Sequence, residues 1–267
     1  MLLPEPQPRV TAETAPSSFR VLGVRVDAVQ ISDAVTRMES WIEQRHGNHY
    51  ITVTGMHGIT VAQRDPTFKA VLSTADLVVP DGMPLVWLGR RSGHRLRRRV
   101  YGPELMETFL QQTTARGYRH FFYGGAPGVP ELLAQRLAER FPGLQVAGTH
   151  SPPFRPLTAE EDDAAVREIN SSGADVLWVG LGEPKQERWM HEHRDRLNVP
   201  VAVGVGAAFD IHAGRLKQAP LWMRENGLEW LFRLAVEPRR LWRRYIIYGS
   251  RFIWWVALEQ LRLRKFP

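Results

Sequence analysis

Residues 180–187 combine phosphate-binding groups with the turn that would position them. Their sequence is Gly-Leu-Gly-Glu-Pro-Lys-Gln-Glu, which follows the apolar run 174–179 and precedes a helical pattern. A helix that starts here presents free backbone N–H groups and the positive end of its dipole to an anion. We predict a nucleotide site formed by Gly182, Pro184, Lys185, Gln186 and Glu187. An ordinary strand-to-helix turn is the equal alternative, because Gly-x-Gly also occurs in simple tight turns.

Asp81 is the carboxylate best placed for catalysis. It follows the short apolar run 77–80 and precedes Gly82, so it would stand at a strand end with little bulk beside it. A carboxylate within hydrogen-bond reach of a hydroxyl can act as its general base. Asp-Gly is also a common turn dipeptide, and a purely structural turn is the alternative. Asp210 is a second candidate, for which a helix cap or turn is the stronger interpretation.

A glycine-rich turn at 124–128, Gly-Gly-Ala-Pro-Gly, offers a further surface for a nucleotide. Gly124 and Gly125 would let a nucleoside or phosphate approach the backbone closely, and a simple turn explains the pattern equally well. The segment lacks the Gly-x-Gly-x-x-Gly spacing of a dinucleotide fingerprint, which disfavours an NAD site. Because the sequence has no cysteine, no His-Glu-x-x-His and no Asp-x-Asp, nothing in it requires a metal or other cofactor.

The elements that must position these residues alternate along the chain. Predicted strands lie at 21–28, 49–54, 77–80, 119–123, 144–148, 174–179 and 201–205. Predicted helices lie at 32–44, 59–72, 103–114, 131–141, 160–170 and 187–197. This alternation predicts an α/β fold with a doubly wound, mostly parallel, Rossmann-like sheet. Ligands bind at the carboxyl ends of such strands, so five turns, at residues 54, 81, 124, 182 and 206, are expected around one crevice.

The last part of the chain is basic and aromatic. Residues 233–267 carry nine Lys or Arg against two Glu, which equals the net charge of +7 of the whole sequence. A helical projection separates four arginines from four apolar residues: Arg240, Arg244, Arg251 and Arg262 on one side, and Trp242, Ile246, Ile253 and Val256 on the other. This pattern is typical of a helix that lies in a bilayer interface, since the apolar run 245–258 is shorter than the ~20 residues of a spanning helix. A helix packed on its own domain is the alternative.

Composition and length predict three regions. The length and 43% apolar content suit one α/β domain with an appendage. We predict a flexible N-terminal tail at 1–20, the α/β domain at 21–220, and a C-terminal helical appendage that associates with a membrane at 221–267. The first residues lack the basic start and long apolar run of a secretory signal, which favours a cytoplasmic location.

The motifs occur in an order that resembles one enzyme family. Asp81-Gly82, the turns 124–128 and 180–187, and Gly-Leu-Glu-Trp-Leu-Phe-Arg at 227–233 followed by Glu-Pro-Arg are similar to those of the WecG/TagA/CpsF glycosyltransferases. The resemblance extends over about residues 21–245. The Pro-Lys-Gln-Glu and Gly-Leu-Glu-Trp-Leu-x-Arg cassettes give it specificity.

The resemblance implies an activity and its partners. It implies an inverting, metal-independent transferase that moves a hexose of the N-acetylmannosamine, mannosaminuronate or glucose type from a UDP-sugar to a polyprenyl-diphosphate-linked saccharide. The products would be bacterial cell-surface polysaccharides or teichoic acids. The enzyme would act at an anionic membrane surface, as a peripheral protein on the inner face of the bacterial cytoplasmic membrane, without nucleic acid. Formation of a homo-oligomer stays open.

The resemblance also implies residue roles. Asp81 would be the catalytic base, Gln186 would hold substrate, and Thr54 matches a family threonine beside the donor. The basic residues of the appendage would contact the acceptor diphosphate: Arg233, Arg239, Arg243 and Arg244. Apart from the resemblance, Arg99 ends the basic loop 90–99 and could reach back to the same diphosphate, with a solvated basic loop as the alternative. The sequence departs from the family pattern in having Met56, next to His57, in place of an Asn, and Glu104 where many members have an Asp.

Two other classes compete with a transferase. The basic tail and its aromatic residues would also suit a nucleic-acid-binding protein, although no recognition helix or RNA-binding motif is discernible. An NAD-dependent oxidoreductase is weakened by the missing fingerprint. Electrostatics agrees with the transferase, because without a metal the charge on departing UDP must be met by backbone N–H groups and basic side chains.

Overall fold

A six-stranded parallel sheet forms the centre of the computed structural model, which describes residues 16–266. In their order across the sheet, the strands are β4 (Leu77–Pro80), β3 (His49–Thr54), β8 (Val201–Gly204), β7 (Val176–Gly180), β5 (Arg119–Gly124) and β6 (Gln145–His150). Every neighbouring pair is parallel. The prediction of a doubly wound α/β sheet is therefore confirmed.

Helices cover both faces of this sheet. Those of the α/β part are α1 (Ile31–Gln44), α2 (Met56–Ala62), α3 (Pro66–Thr74), α4 (Met83–Arg91), α5 (Gly102–Thr113), α6 (Val129–Arg140), α7 (Ala159–Ser171), α8 (Lys185–His193) and α9 (Ala208–His212). Successive strand residues point to opposite faces. In β7, Trp178 packs in the core layer that includes α1, α5 and α6, whereas Leu177 packs in the layer that includes α7 and α8. The apolar strands are thus buried on both sides and their carboxyl ends lie at one edge.

Where the sequence predicts one strand at 21–28, the structure has a two-stranded antiparallel hairpin. β1 (Ser18–Val21) and β2 (Val24–Asp27) are joined by a turn at Leu22 and Gly23, both of which have positive φ. Residues 1–15 of the predicted tail lie outside the described residues. Residues 18–20 belong to β1, so the predicted tail boundary at residue 20 falls inside a strand, because Phe19 is buried in the core cluster under the hairpin.

Two helices differ from the sequence prediction. The helix predicted at 59–72 is divided into α2 and α3, because Pro66 starts a new helix that Asp65 caps by accepting a hydrogen bond from the Phe68 N–H (3.0 Å). Helix α4 was not predicted. Its apolar residues, which include Leu85 and Val86, are buried under the hairpin.

The C-terminal appendage is helical, as predicted. It consists of α10 (Leu221–Glu225), α11 (Glu229–Val236), α12 (Pro238–Trp242), a π-helical segment (Arg243–Tyr248) and α13 (Gly249–Gln260). Phe252 is buried under the hairpin and Val256 packs against the same cluster, whereas Ile253 and Trp254 are 66% and 63% exposed. Of the four apolar residues predicted on one side of this segment, Trp242, Ile246 and Ile253 are exposed, whereas Val256 departs from the prediction by packing against the core cluster. Within residues 16–266, no helix has both the length and the apolar character needed to cross a membrane.

Candidate active site

A cavity of about 660 Å³ opens at the carboxyl ends of the strands, and we call it the strand-end cavity. The turns that follow β5, β7 and β8 contribute backbone at Gly125, Gly182 and Gly206. Asp81 enters from the end of β4, and the appendage closes another side with basic side chains. The cavity thus brings together residues that are up to 191 positions apart, from Val53 to Arg244.

Asp81 lies directly after β4, and its backbone N–H donates to the Thr54 carbonyl at the end of β3 (2.9 Å). Its side chain is 26% exposed, and Oδ1 has no hydrogen-bond partner among the described residues. Burial raises its pKa to about 6. Arg99, at 3.9 Å, opposes this rise, and the negative charge of Glu229 adds to it. Such a carboxylate is ionised at neutral pH and is a stronger base than an ordinary aspartate.

The glycine turn after β5 packs directly on the end of β7. Gly124 has φ of +126°, and a Cβ there would lie 2.6 Å from the Gly180 carbonyl carbon. Gly125 donates its N–H to the Gly180 carbonyl (3.1 Å) and lines the cavity. Only glycine fits at residue 124, because both the backbone angle and the space exclude a side chain. Gly124 therefore shapes the cavity from behind.

The turn before α8 is braced by its own side chains. The Gly182 N–H donates to Oε1 of Gln186 (3.1 Å), and the Gln186 amide donates to Glu187 (2.8 Å). Burial, followed by the neighbouring Glu183 carboxylate, raises the pKa of Glu187. Lys185 is exposed at the cavity and is the first residue of α8. The Gln186 N–H donates to the Gly182 carbonyl (3.0 Å), so the helix start presents Lys185 and the positive end of the helix dipole to the cavity, while Glu187 stays behind it.

Glu183, which sequence reasoning did not single out, links this turn to α2 and to the appendage. Its Oε2 bonds Nδ1 of His57 (2.8 Å) and lies 3.5 Å from Nη2 of Arg244. The His57 ring also meets the Tyr248 ring edge-on, with centroids 4.9 Å apart. Space for the carboxylate exists because residue 58 is glycine, where a Cβ would lie 2.1 Å from Oε1. No sequence spacing indicates this contact, since its members belong to three separate segments.

Two further ion pairs tie the appendage to the α/β domain. Arg99 pairs with Glu229 of α11 and stacks over the Tyr101 ring at 4.1 Å. Burial opposes the charge on Arg99, but Asp81 and Glu229 outweigh it and raise its pKa. Glu104, where the family pattern has Asp, accepts a hydrogen bond from Arg224 of α10 (2.8 Å). Glu104 therefore contacts the appendage.

The structure brings only part of the predicted site to the cavity wall. The predicted residues that line it are Asp81, Gly125, Gly182, Lys185, Gln186, Arg233 and Arg244. The predicted residues that support it from behind or beside are Thr54, Arg99, Gly124, Pro184 and Glu187. Asp210 also lines the cavity.

The remaining positions differ from the expected pattern. Arg239 and Arg243 are exposed outside the cavity, whereas Arg240, which was not among the predicted site residues, lines it and is bonded to Glu237. Met56 packs against the hairpin core. In residues 16–266, no three His, Asp or Glu side chains are arranged to hold a metal ion.

Comparison with known proteins identifies the family of this chain. The model of the glycosyl transferase WecG/TagA/CpsF family matches residues 19–266. An N-acetylglucosaminyldiphosphoundecaprenol N-acetyl-beta-D-mannosaminyltransferase from Bacillus spizizenii W23 is 32% identical over 218 residues, 81% of this chain and 82% of the relative. Proteins of the same name from Bacillus subtilis 168 and Staphylococcus aureus NCTC 8325 are 29% and 26% identical. These matches cover 69% and 92% of this chain, and 70% and 94% of the relatives. The chain therefore belongs to the WecG/TagA/CpsF family of glycosyltransferases.

Proposed function

We propose that this protein transfers an N-acetylmannosamine-type hexose from a UDP-sugar to a polyprenyl-diphosphate-linked saccharide, with inversion and without a metal ion. The names of the curated relatives support the sugar and the lipid-linked acceptor. The product would enter a cell-surface polymer of the cell-wall or teichoic acid type.

One observation carries the proposal: a single carboxylate with a raised pKa shares a cavity with two sets of basic groups. Asp81 stands at one strand end, and Lys185 with the start of α8 stands at another. Arg233 and Arg244 reach the same cavity from the appendage. A base, a diphosphate site for the donor and cations for the acceptor diphosphate are the groups that such a transfer needs.

The reaction needs one displacement. The acceptor hydroxyl attacks the anomeric carbon, its proton passes to Asp81, and the bond from that carbon to the UDP oxygen breaks. The departing diphosphate is met by Lys185 and by the positive end of the α8 dipole. Attack opposite the leaving group inverts the anomeric centre. No covalent intermediate is required.

The acceptor would come from a membrane. Arg233 and Arg244 belong to the appendage, whose outer side exposes Trp242, Ile253 and Trp254. Amphipathic aromatic residues favour the bilayer interface, and nearby arginines favour anionic lipids. We propose peripheral attachment to the inner face of the bacterial cytoplasmic membrane. This arrangement would bring the diphosphate of a lipid-linked acceptor to the cavity.

A product assay tests the function. The full chain is incubated with a panel of UDP-sugars, a short-chain lipid-diphosphate N-acetylglucosamine acceptor and a chelator, and the products are weighed by mass spectrometry. We expect a mass increase of one N-acetylhexosamine, and a value of kcat/KM that falls as the pH drops through about 6 because Asp81 becomes protonated. Absence of transfer with every UDP-sugar would reject the donor class, and abolition by the chelator would reject metal independence.

A further inference from the structure

A second depression, of about 350 Å³, is lined in part by Arg99, whose Nη1 lies 3.9 Å from Asp81 of the strand-end cavity, and we call it the arginine pocket. It is formed by α4, the segment that follows it, and α10 of the appendage. Five arginines line it: Arg90, Arg97, Arg98, Arg99 and Arg224. Apart from Arg99, none of them contributes to the reaction described above.

The backbone of this pocket is fixed by hydrogen bonds. Arg90 donates from Nε to the Leu96 carbonyl and from Nη2 to the Arg97 carbonyl, both at 2.7 Å. Oε1 of Gln30 accepts from the backbone N–H groups of Arg97 and Arg98, both at 3.3 Å. These hydrogen bonds fix the backbone of residues 96–98, and the arginines of the pocket are held close together despite their mutual repulsion.

The charges in the pocket are not balanced. Glu104 bonds Arg224, and Arg98 lies 3.5 Å from both Glu104 and Glu225. These two glutamates leave an excess of three positive charges among the lining residues. In the part of the chain that the structure describes, Arg90 and Arg97 have no carboxylate within 4.0 Å.

A buried donor in the pocket also lacks an acceptor. Nε of Arg224 is buried without a hydrogen-bond partner, although the same guanidinium pairs with Glu104. A buried N–H without an acceptor is costly. Clustered guanidinium groups with free donors are suited to phosphate, whose oxygens accept two parallel hydrogen bonds from one arginine.

Exposed apolar side chains lie on the two helices that form the pocket, α4 and α10. Trp87 of α4 lines the pocket and is 52% exposed. Leu221 and Trp222 are 52% and 59% exposed on α10, the short helix that also carries Arg224. Exposed tryptophans beside arginines are typical of surfaces that meet lipid headgroups, because the ring favours the interface and the guanidinium the phosphate. A free phosphate in water would gain nothing from these exposed apolar side chains.

We propose that the arginine pocket binds the phosphate of an anionic phospholipid headgroup and that the α4–α10 surface contacts the bilayer there. The ligand class is a phosphate ester carried by a lipid. Apart from Arg99, the residues of this site differ from those at the donor and acceptor positions of the proposed reaction. It would give the enzyme a headgroup contact in addition to the apolar surface of α13.

Vesicle sedimentation of the full-length protein tests the site. The vesicles are phosphatidylcholine with or without phosphatidylglycerol, and Arg97→Ala is compared with Arg95→Ala. Arg95 is an exposed arginine of the same segment that does not line the pocket, so both variants lose one exposed charge. We expect Arg97→Ala to weaken binding to the anionic vesicles at least about tenfold, as for a lost hydrogen bond to a charged group. Arg95→Ala should weaken it no more than about fivefold, as for a diffuse surface charge.

The other outcomes overturn the proposal. Equal losses in the two variants would indicate a diffuse basic surface, and equal binding to both vesicle types would indicate apolar attachment alone. Calorimetric titration with inorganic phosphate and pyrophosphate distinguishes a soluble ligand. Binding of either anion that depends on Arg97, with no difference between the vesicle types, would reject a lipid.

A reaction without vesicles separates this site from the acceptor site. With a water-soluble short-chain acceptor, Arg97→Ala should leave the acceptor KM unchanged. A KM raised tenfold would assign the pocket to the acceptor diphosphate and reject the headgroup. The unaltered protein is assayed in parallel. If it forms no product, the proposed transferase activity is wrong, and this result is independent of the vesicle-binding result for the arginine pocket.

Discussion

Replacing Asp81 by Asn should abolish transfer and stabilise the fold at the same time. Asn is nearly isosteric with Asp but cannot accept the proton of the acceptor hydroxyl, so the rate should fall by at least about 10²-fold. The fold should gain stability, because burial raises the pKa of Asp81 to about 6 and its ionised form is therefore unfavourable in the native state.

The size of this gain follows from the pKa. The ordinary value is 3.8, so the shift is about two units, or at most ~3 kcal/mol at 1.36 kcal/mol per unit. The side chain is 26% exposed, and screening by solvent reduces the expected gain to about 2 kcal/mol. A carboxyl group with a raised native pKa has no ionisation penalty at pH values below its unfolded pKa. The free-energy cost of ionising Asp81 in the folded protein grows with pH and reaches its full value above about pH 6. Asn avoids it at every pH.

Thermal unfolding at several pH values measures this effect. At about pH 8, Asp81→Asn should raise Tm by roughly 4–8 °C, and at about pH 4 the difference should vanish. Asp76→Asn is the matched control at the other end of β4. Burial opposes the ionisation of Asp76, but hydrogen bonds from His49 and from the Tyr50 N–H outweigh it and lower the pKa. Asp76→Asn should therefore lower Tm at about pH 8, and its effect should shrink as the pH falls below 3.8.

Two results would refute the reasoning. A lower Tm for Asp81→Asn at about pH 8 would mean that attraction to Arg99 outweighs burial, which would lower the pKa of Asp81 instead of raising it. Near-normal transfer by the same variant would remove Asp81 from the proposed mechanism, whatever its stability.

Three further predictions test the supporting structure. Glu229→Gln removes the closer of the two carboxylates that face buried Arg99 and leaves only Asp81 at 3.9 Å, so urea unfolding should show a loss of about 3 kcal/mol; a change below 0.5 kcal/mol, the usual size for a surface substitution, would contradict a buried pair. Gly124→Ala should destabilise by more than about 2 kcal/mol because both φ and space exclude Cβ. Gly117→Ala, where φ is positive but the space is open, should cost only about 1 kcal/mol, so equal costs would count against the contact. Trp254→Ser should reduce sedimentation with anionic vesicles without changing Tm, since its ring is 63% exposed; unchanged sedimentation would exclude this ring from the membrane contact.

Much of the site follows from local sequence patterns. The alternation of apolar runs and helical patterns predicted the sheet, and the sharp turns after the runs located Asp81, Gly125 and the turn before α8 at strand ends. Parallel strands point the same way, so their carboxyl ends meet at one edge whatever their order. The two differences from the predicted elements, at Pro66 and in the hairpin, also have local causes. A proline divides the predicted helix at 59–72, and a two-residue turn divides the predicted strand at 21–28, although the apolar pattern continues past each break.

The position of the appendage was decided by the tertiary structure. A helical projection at 100° per residue assumes one continuous α-helix, but the π-helical segment Arg243–Tyr248 shifts the phase of every later residue. Val256 therefore packs inward. Arg240 faces the cavity while Arg239 and Arg243 do not.

The sequence by itself determined the sheet, its strand-end turns and the candidate base, because backbone geometry and hydrophobic periodicity act over a few residues. Only the tertiary structure decided which charges meet. The partners in Arg99–Glu229 and Glu183–Arg244 lie 130 and 61 residues apart. Such contacts depend on how the appendage packs through Phe252 and the helices around it. Ion pairing between distant segments leaves no periodic signal in the chain, since it requires only that two side chains end at the same place.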